Sequence, residues 1–354
     1  MSKTIYYFGA GASFGRKDSR ELISVGTEKA YLKITEGLPV VSEIPQCLLS
    51  FKNAVISAEI DNQKDYTFLN MMRVQGSDIN RMRRDLLMAI DNLVLAASQH
   101  ATIDTYAKKL TLIRDFVQLK TIKNVLCAFF VWIQLTSKLD QRYDTFLANI
   151  LQMYNLYIPK DISILSWNYD SQFEIAYRYY SKNGRLPIYD KNITKDFSKL
   201  SENGRIFKLN GSANFGDFTA VNFINDDTNL EPILQVILYY GNLVADTSSL
   251  GYQFASKLSF AWEPSSQDEN MMNAINSTTV DTETVVIIGY SFPFCNREID
   301  RRIFASMQNL KTIYIQDPNP ESVGQSLRAV VPDYFKGEIL QETDCTQFLM
   351  PKEL

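Results

Sequence analysis

Thr4-Ile5-Tyr6-Tyr7-Phe8-Gly9-Ala10-Gly11-Ala12-Ser13 is an apolar, β-prone run ending in two closely spaced glycines and a serine. In α/β proteins such a strand feeds a turn whose backbone N–H groups face a phosphate. Gly9, Ala10, Gly11, Ala12 and Ser13 are therefore candidate contacts to a dinucleotide. Phe14 stands where the common dinucleotide fingerprint has its third glycine, and Gly15 follows one residue late. An ordinary tight turn fits the same residues, so later segments must decide.

Further β-like runs recur at wide spacing: Ile162 to Trp167, Arg205 to Leu209, Thr284 to Ile288 and Thr312 to Gln316. Each ends in small, polar or turn-prone residues, as strands do when their C-terminal ends form a ligand crevice. The fold class expected is α/β, a Rossmann-like parallel sheet.

Two long interruptions separate these strands. Residues 44–157 read as a large inserted helical lobe, too long for a simple crossover. Within it, Ile79 to Ser98 carries Met82, Leu86, Leu87, Ile90, Leu93 and Val94 at helical spacing. Tyr106 to Val117, Asn124 to Lys138 and Tyr143 to Tyr154 continue the helical pattern. Residues 213–283 form a second excursion with apolar Ile233 to Tyr240 and the aromatic Phe260-Ala261-Trp262. Its aromatics either wall a pocket or pack the insertion. The whole of 1–354 reads as one domain with these two insertions.

Acidic residues exceed basic ones by 40 to 36, a net charge of −4, which argues against nucleic acid as the main partner. Cys47, Cys127, Cys295 and Cys345 are far apart and form no C-x-x-C pair, so neither a metal site nor a disulfide framework is expected. Val125 to Leu135, the longest conspicuous apolar stretch, is too short to span a bilayer and contains Gln134. With no signal sequence visible, a soluble cytoplasmic protein is expected. His100 is the single histidine and ends a predicted helix. Acid–base chemistry would therefore fall to carboxylates, substrate or water.

Three more segments bear on chemistry. Asn168 and Asp170, just past a buried strand, place an amide and a carboxylate at the sheet edge; the plainer alternative makes Asp170 a helix cap. Leu209-Asn210-Gly211-Ser212 on its own is an ordinary turn. Ile288-Gly289-Tyr290-Ser291 ends a strand in a glycine and a hydroxyl. Tyr290 either stacks on a ligand's adenine or packs the core. Arg297 and Asp300, on the helix after it, either join the cleft or pair on a solvated face. Asp317 closes the last of these strands, where an acid often receives ribose hydroxyls, although Asp-Pro-Asn-Pro is also a strong turn sequence.

Gly9-Ala10-Gly11-Ala12-Ser13, Gly37-Leu38-Pro39-Val40-Val41, Asn168-Tyr169-Asp170, Leu209-Asn210-Gly211-Ser212 and Gly289-Tyr290-Ser291-Phe292 occur in that order along the chain. In this the chain resembles the sirtuin superfamily, and more closely its prokaryotic defence-associated branch of Sir-two-like NAD hydrolases than its protein deacylases. The resemblance implies NAD lying across the strand ends. Gly11, Ala12 and Ser13 would meet the pyrophosphate, Asn168 and Asp170 the nicotinamide ribose and carboxamide side, and Gly289 and Ser291 the adenosine half. It implies cleavage of NAD to nicotinamide and ADP-ribose in anti-phage defence, homo-oligomers, and in some relatives a separately encoded ATPase or helicase. This chain has no Walker motif of its own.

Two departures from the family pattern stand out. The paired cysteines of the deacylases' zinc module are missing, which favours hydrolase over deacylase. Asn210 occupies the position of the family's proton-accepting histidine, and an amide accepts a hydrogen bond but takes no proton at neutral pH. Loss of a general base typically costs about 10² to 10⁴ in rate. An NAD hydrolase with Asn168, Asp170 and Asn210 at its centre, a silent NAD or ADP-ribose binder, and an NAD-dependent deacylase all remain open at this point.

Overall fold

The computed structural model describes residues 3–24, 30–59, 79–154, 156–180, 188–190, 204–215, 231–245, 256–263 and 268–354. Among them the strands are β1 (Thr4–Phe8), β2 (Arg20–Ile23), β3 (Tyr31–Ile34), β4 (Ile162–Ser166), β5 (Ile188–Asp190), β6 (Ile206–Lys208), β7 (Gly211–Phe215), β8 (Ser256–Leu258), β9 (Thr284–Ile288), β10 (Thr312–Gln316) and β11 (Glu338–Glu342). Seven of these form one parallel sheet in the order β11-β10-β9-β1-β4-β6-β5. This is the α/β, Rossmann-like architecture expected from the sequence.

β1 lies between β4 and β9, with Phe8 level with both Ser166 and Ile288. From β1 the chain passes to β4, out to the edge at β5 and back to β6 between them, then crosses to the other side for β9, β10 and β11. A crevice opens beyond the strand ends where such an order reverses. That reversal puts the glycine turns after β1 and β9 side by side.

The helices are α1 (Ile44–Ser57), α2 (Ile79–Gln99), α3 (Ile103–Leu112), α4 (Phe116–Thr136), α5 (Gln141–Ile150), α6 (Gln172–Tyr180), α7 (Pro232–Ala245), α8 (Asp268–Thr279), α9 (Arg297–Ser306) and α10 (Pro320–Leu327). Side chains along β1 alternate between two cores, as period-two geometry requires. Ile5 and Tyr7 pack with Ile275 of α8, Ile303 and Phe304 of α9 and Leu327 of α10. Tyr6 and Phe8 pack on the opposite face with Phe146 of α5, Phe173 of α6 and Phe348.

A third core belongs to the lobe. It joins α1, α2, α3 and α4 to Ala213 of β7, to α7, to Leu258 of β8 and to Phe260. The two sequence excursions therefore share one interior, and α5, although inside the first of them, lies on the sheet. Phe260 stacks on Trp262 at 4.9 Å, so these aromatics pack the insertion.

The helical run expected over Tyr106 to Val117 is two helices. Arg114 adopts φ 61° between α3 and α4, and Asp115 caps α4 by accepting a hydrogen bond from the Gln118 N–H at 3.0 Å. The helix expected over Tyr143 to Tyr154 ends earlier, at Ile150. Helix α4 runs 21 residues and is long and apolar enough to cross a membrane, unlike the shorter Val125 to Leu135 run; 61% of its most apolar window is buried inside the protein. It is the central helix of the lobe core.

Candidate functional site

The turns after β1 and β9 meet backbone to backbone. Gly9 N–H donates to the Ile288 carbonyl and Gly11 N–H to the Gly289 carbonyl, both at 3.0 Å, while Ala12 N–H donates to the Gly9 carbonyl at 2.9 Å. Gly289 has φ +58°, and a Cβ on it would stand 2.3 Å from Gly11 Cα. Glycine is what allows this approach.

These contacts revise the phosphate-cradle expectation. The N–H groups of Gly9, Gly11 and Ala12 are spent on the protein itself, and Ala12 is buried in the core between the sheet and α5. Gly9, Ala10, Gly11 and Ser13 still line the crevice.

A buried pair that also lines the crevice braces the turn. Arg142 donates to Asp140 at 2.6 Å, to the Gly11 and Ala12 carbonyls at 2.9 and 3.3 Å, and to the Cys345 carbonyl at 3.3 Å. Asp140 in turn accepts the Gly15 N–H at 2.7 Å. The sequence contained no pattern that singled out this pair, because its partners are backbone atoms more than a hundred residues away.

The crevice has two adjoining chambers. The inner one, about 130 Å³, is lined by Gly9, Ala10, Ser13, Trp167, Asn168, Asp170, Asn210, Gly289, Tyr290 and Ser291 from the strand ends. Leu38, Pro39, Val41, Ile44, Asp104 and Phe130 close it from the lobe side. The outer one, about 1450 Å³, shares Ala10, Val41, Asp104, Gly289, Ser291 and Pro293 with it and extends past Arg16 and Lys17 to Asp317 and Asp344. Ser13, Asn168, Asn210 and Ser291, distant in sequence, thus face one space, and Asp317 faces the outer part of it.

Hydrogen bonds set the inner side chains. Asn168 Nδ2 donates to Ser13 Oγ at 3.3 Å, and Ser13 Oγ shares a bond of 2.9 Å with the Tyr143 hydroxyl. Asp170 Oδ1 accepts the Gln172 N–H at 3.0 Å, so it caps α6 as the plainer reading had it while also lining the chamber. Lys208, buried, donates to the Asp170 carbonyl and lies 3.4 Å from Glu174, whose carboxyl burial pushes up against the opposing pull of that lysine. Asn210 Nδ2 donates to the Trp167 carbonyl at 3.4 Å. Its Oδ1 is buried and has no partner among the described residues. A buried acceptor left so is costly unless a ligand or water fills it.

Beneath the inner chamber lies a carboxylate that the sequence left undecided. Asp300 is fully buried and accepts from Trp167 Nε1 at 3.0 Å, from the Tyr290 hydroxyl at 2.9 Å and from the Tyr7 hydroxyl. Burial pushes its carboxyl up to about 7 despite these donors. It is not part of a solvated face. Tyr290 belongs to this network and stacks with Trp167, 6.0 Å between centroids at 9°, which places its ring in the core beside the chamber. Arg297 donates to the Phe292 carbonyl at 3.2 Å.

Neither the protein-family models nor the curated proteins give a match to this chain. Among the described residues no group of three or more His, Cys, Asp or Glu is placed to hold a metal ion.

Proposed function

We propose that the chain binds NAD across the strand ends and cleaves its N-glycosidic bond to give nicotinamide and ADP-ribose. The observation that carries this reading is the convergence of Ser13, Asn168, Asp170, Asn210 and Ser291 on one small chamber, with the Asn210 carbonyl oxygen unpartnered among the described residues. A space of about 130 Å³ suits a flat heteroaromatic ring, and the large chamber beside it suits the rest of a dinucleotide.

Cleavage of this bond asks little covalent chemistry of the protein. The C1′–N electron pair leaves with nicotinamide, the ribose becomes oxocarbenium-like, and water adds at C1′. Positioning and electrostatics supply most of the acceleration. Asn168, tied to Ser13, orients the ribose and the attacking water; Asn210 Oδ1 accepts a ribose hydroxyl; Asp170 faces the carboxamide. Asp317 and Ser291 serve the adenosine half.

The resemblance extends the reading to NAD depletion during phage infection, by a homo-oligomer that acts with or without a separate ATPase. Release of nicotinamide from NAD by the purified full chain, followed by chromatography, tests the chemistry. Asn168→Ala is expected to abolish release while the protein stays folded; no release by the wild-type chain, alone or with its partner, refutes it.

Asn210 favours a second reading, a binder of NAD or ADP-ribose without turnover. Tight binding by calorimetry with NAD unchanged after long incubation supports that reading, and turnover gained in Asn210→His shows the remaining site competent.

A further inference from the structure

Removing a proton from water or a ribose hydroxyl needs an acceptor, and the two obvious ones are missing from the chamber. His100 is bonded through Nδ1 to the Ala96 carbonyl at 3.0 Å and packs on Tyr106, outside the chamber lining. Asn210 carries an amide. The carboxylates on the inner wall are Asp104 and Asp170.

These two acids differ in what already holds them. Asp170 caps α6 through Oδ1, and its backbone carbonyl takes Lys208. Asp104 lies in the first turn of α3, whose cap is supplied by Thr102 accepting the Thr105 N–H at 3.1 Å. It is therefore not needed to end the helix. It enters from the lobe, opposite the strand ends, on the wall common to both chambers.

We propose that Asp104 is the general base of the site, a catalytic carboxylate supplied by the lobe in place of the histidine that Asn210 replaces. The inference rests on the NAD-cleavage reading. As the C1′–N bond breaks, its electron pair goes to the departing nicotinamide nitrogen; a water oxygen bonds to C1′ and its proton passes to Asp104. The acid then returns that proton to solvent.

The electrical setting suits the task. Burial pushes the Asp104 carboxyl up to about 6, close enough to neutrality to accept a proton and release it again. Burial, then the field of Asp104, raises both Tyr169 after β4 and Cys295 after β9; Glu263 adds to that field at the tyrosine, and Lys108, one turn along α3, opposes it at the thiol. Tyr169 stays protonated at neutral pH and so does not compete with Asp104 for the proton.

The test compares the full-length wild type with Asp104→Asn and the Asp104→Asn/Asn210→His double variant, reading nicotinamide release and NAD affinity from pH 5 to 8.5. Expected for Asp104→Asn is a fall in kcat of about 10² to 10⁴ with NAD affinity held within a few-fold. The wild-type kcat/KM should fall below pH about 6, and this acidic limb should vanish in the variant. The histidine of the double variant should restore turnover.

Asp104→Asn keeping kcat within about three-fold of wild type overturns the inference, and so does a lost rate with the acidic limb retained. If Asp104→Asn fails to fold, the wild-type profile alone decides: no limb near 6 sinks the proposal. A wild-type chain that releases no nicotinamide defeats the underlying reading instead, and that arm stands apart from the variants.

Discussion

Gly289→Ala is the sharpest test of the glycine junction that brings β1 and β9 together. The new Cβ would stand 2.3 Å from Gly11 Cα and 2.7 Å from the Ala12 nitrogen, where carbon atoms in contact prefer about 3.5–4.0 Å. The two turns must separate by about an ångström or more, which lengthens the Gly11 N–H bond to the Gly289 carbonyl and the Gly9 N–H bond to the Ile288 carbonyl. Alanine at φ +58° costs about 1–2 kcal/mol on its own, and each weakened hydrogen bond adds about 0.5–1.5 kcal/mol. A loss of about 2–5 kcal/mol is expected from the urea midpoint followed by circular dichroism. Gly324→Ala is the matched control. It lies inside α10, and its added Cβ would come no nearer than 3.4 Å to Gln341 Nε2, so stability should hold or rise by up to about 1 kcal/mol. A Gly289→Ala midpoint within about 0.5 kcal/mol of wild type, or an equal loss in Gly324→Ala, refutes the reasoning.

Two further outcomes follow from buried charge. Arg142→Met strands Asp140 and two carbonyls of the glycine turn, so a loss of about 3–5 kcal/mol is expected in urea, and Asp140→Asn added to it should recover part of that loss. Asp300 is raised from 3.8 to about 7, so below pH about 4 both folded and unfolded chains hold its proton. Between about 4 and about 7 the unfolded chain releases it first, and stability falls across that window. Asp300→Asn should flatten this part of the stability-versus-pH curve in midpoints measured at pH 4.5 and 7.5; an unchanged slope refutes the assignment.

The central sheet was readable from sequence where a strand is buried on both faces. Thr284 to Ile288 is a continuous apolar or β-branched run, and Ile162 to Ser166 departs from one only at its small buried serines, because neighbours cover both sides. β11 escaped notice for the opposite reason: Glu338-Ile339-Leu340-Gln341-Glu342 is an exposed edge whose charges belong to solvent. The β2–β3 hairpin is short and half exposed, and likewise left no apolar run. The helical run expected over Tyr106 to Val117 crosses the junction of α3 and α4 because no glycine or proline marks it; Arg114 takes the left-handed turn itself.

At the site, the residues found from sequence are those that follow strands, because strand ends announce themselves. Asp104 and Phe130 come from lobe helices that read as ordinary amphipathic or apolar packing, and only the tertiary fold turns them toward the chamber. Asp300 looked like any charge in a helix first turn; its burial depends on Tyr7, nearly three hundred residues earlier.

That β1 sits in the middle of the sheet also has a consequence for biosynthesis. The partner for one of its edges, β9, is synthesised about 280 residues after it. At roughly 5–20 residues per second this apolar segment waits tens of seconds for its second neighbour. The nascent chain must shelter that open edge meanwhile.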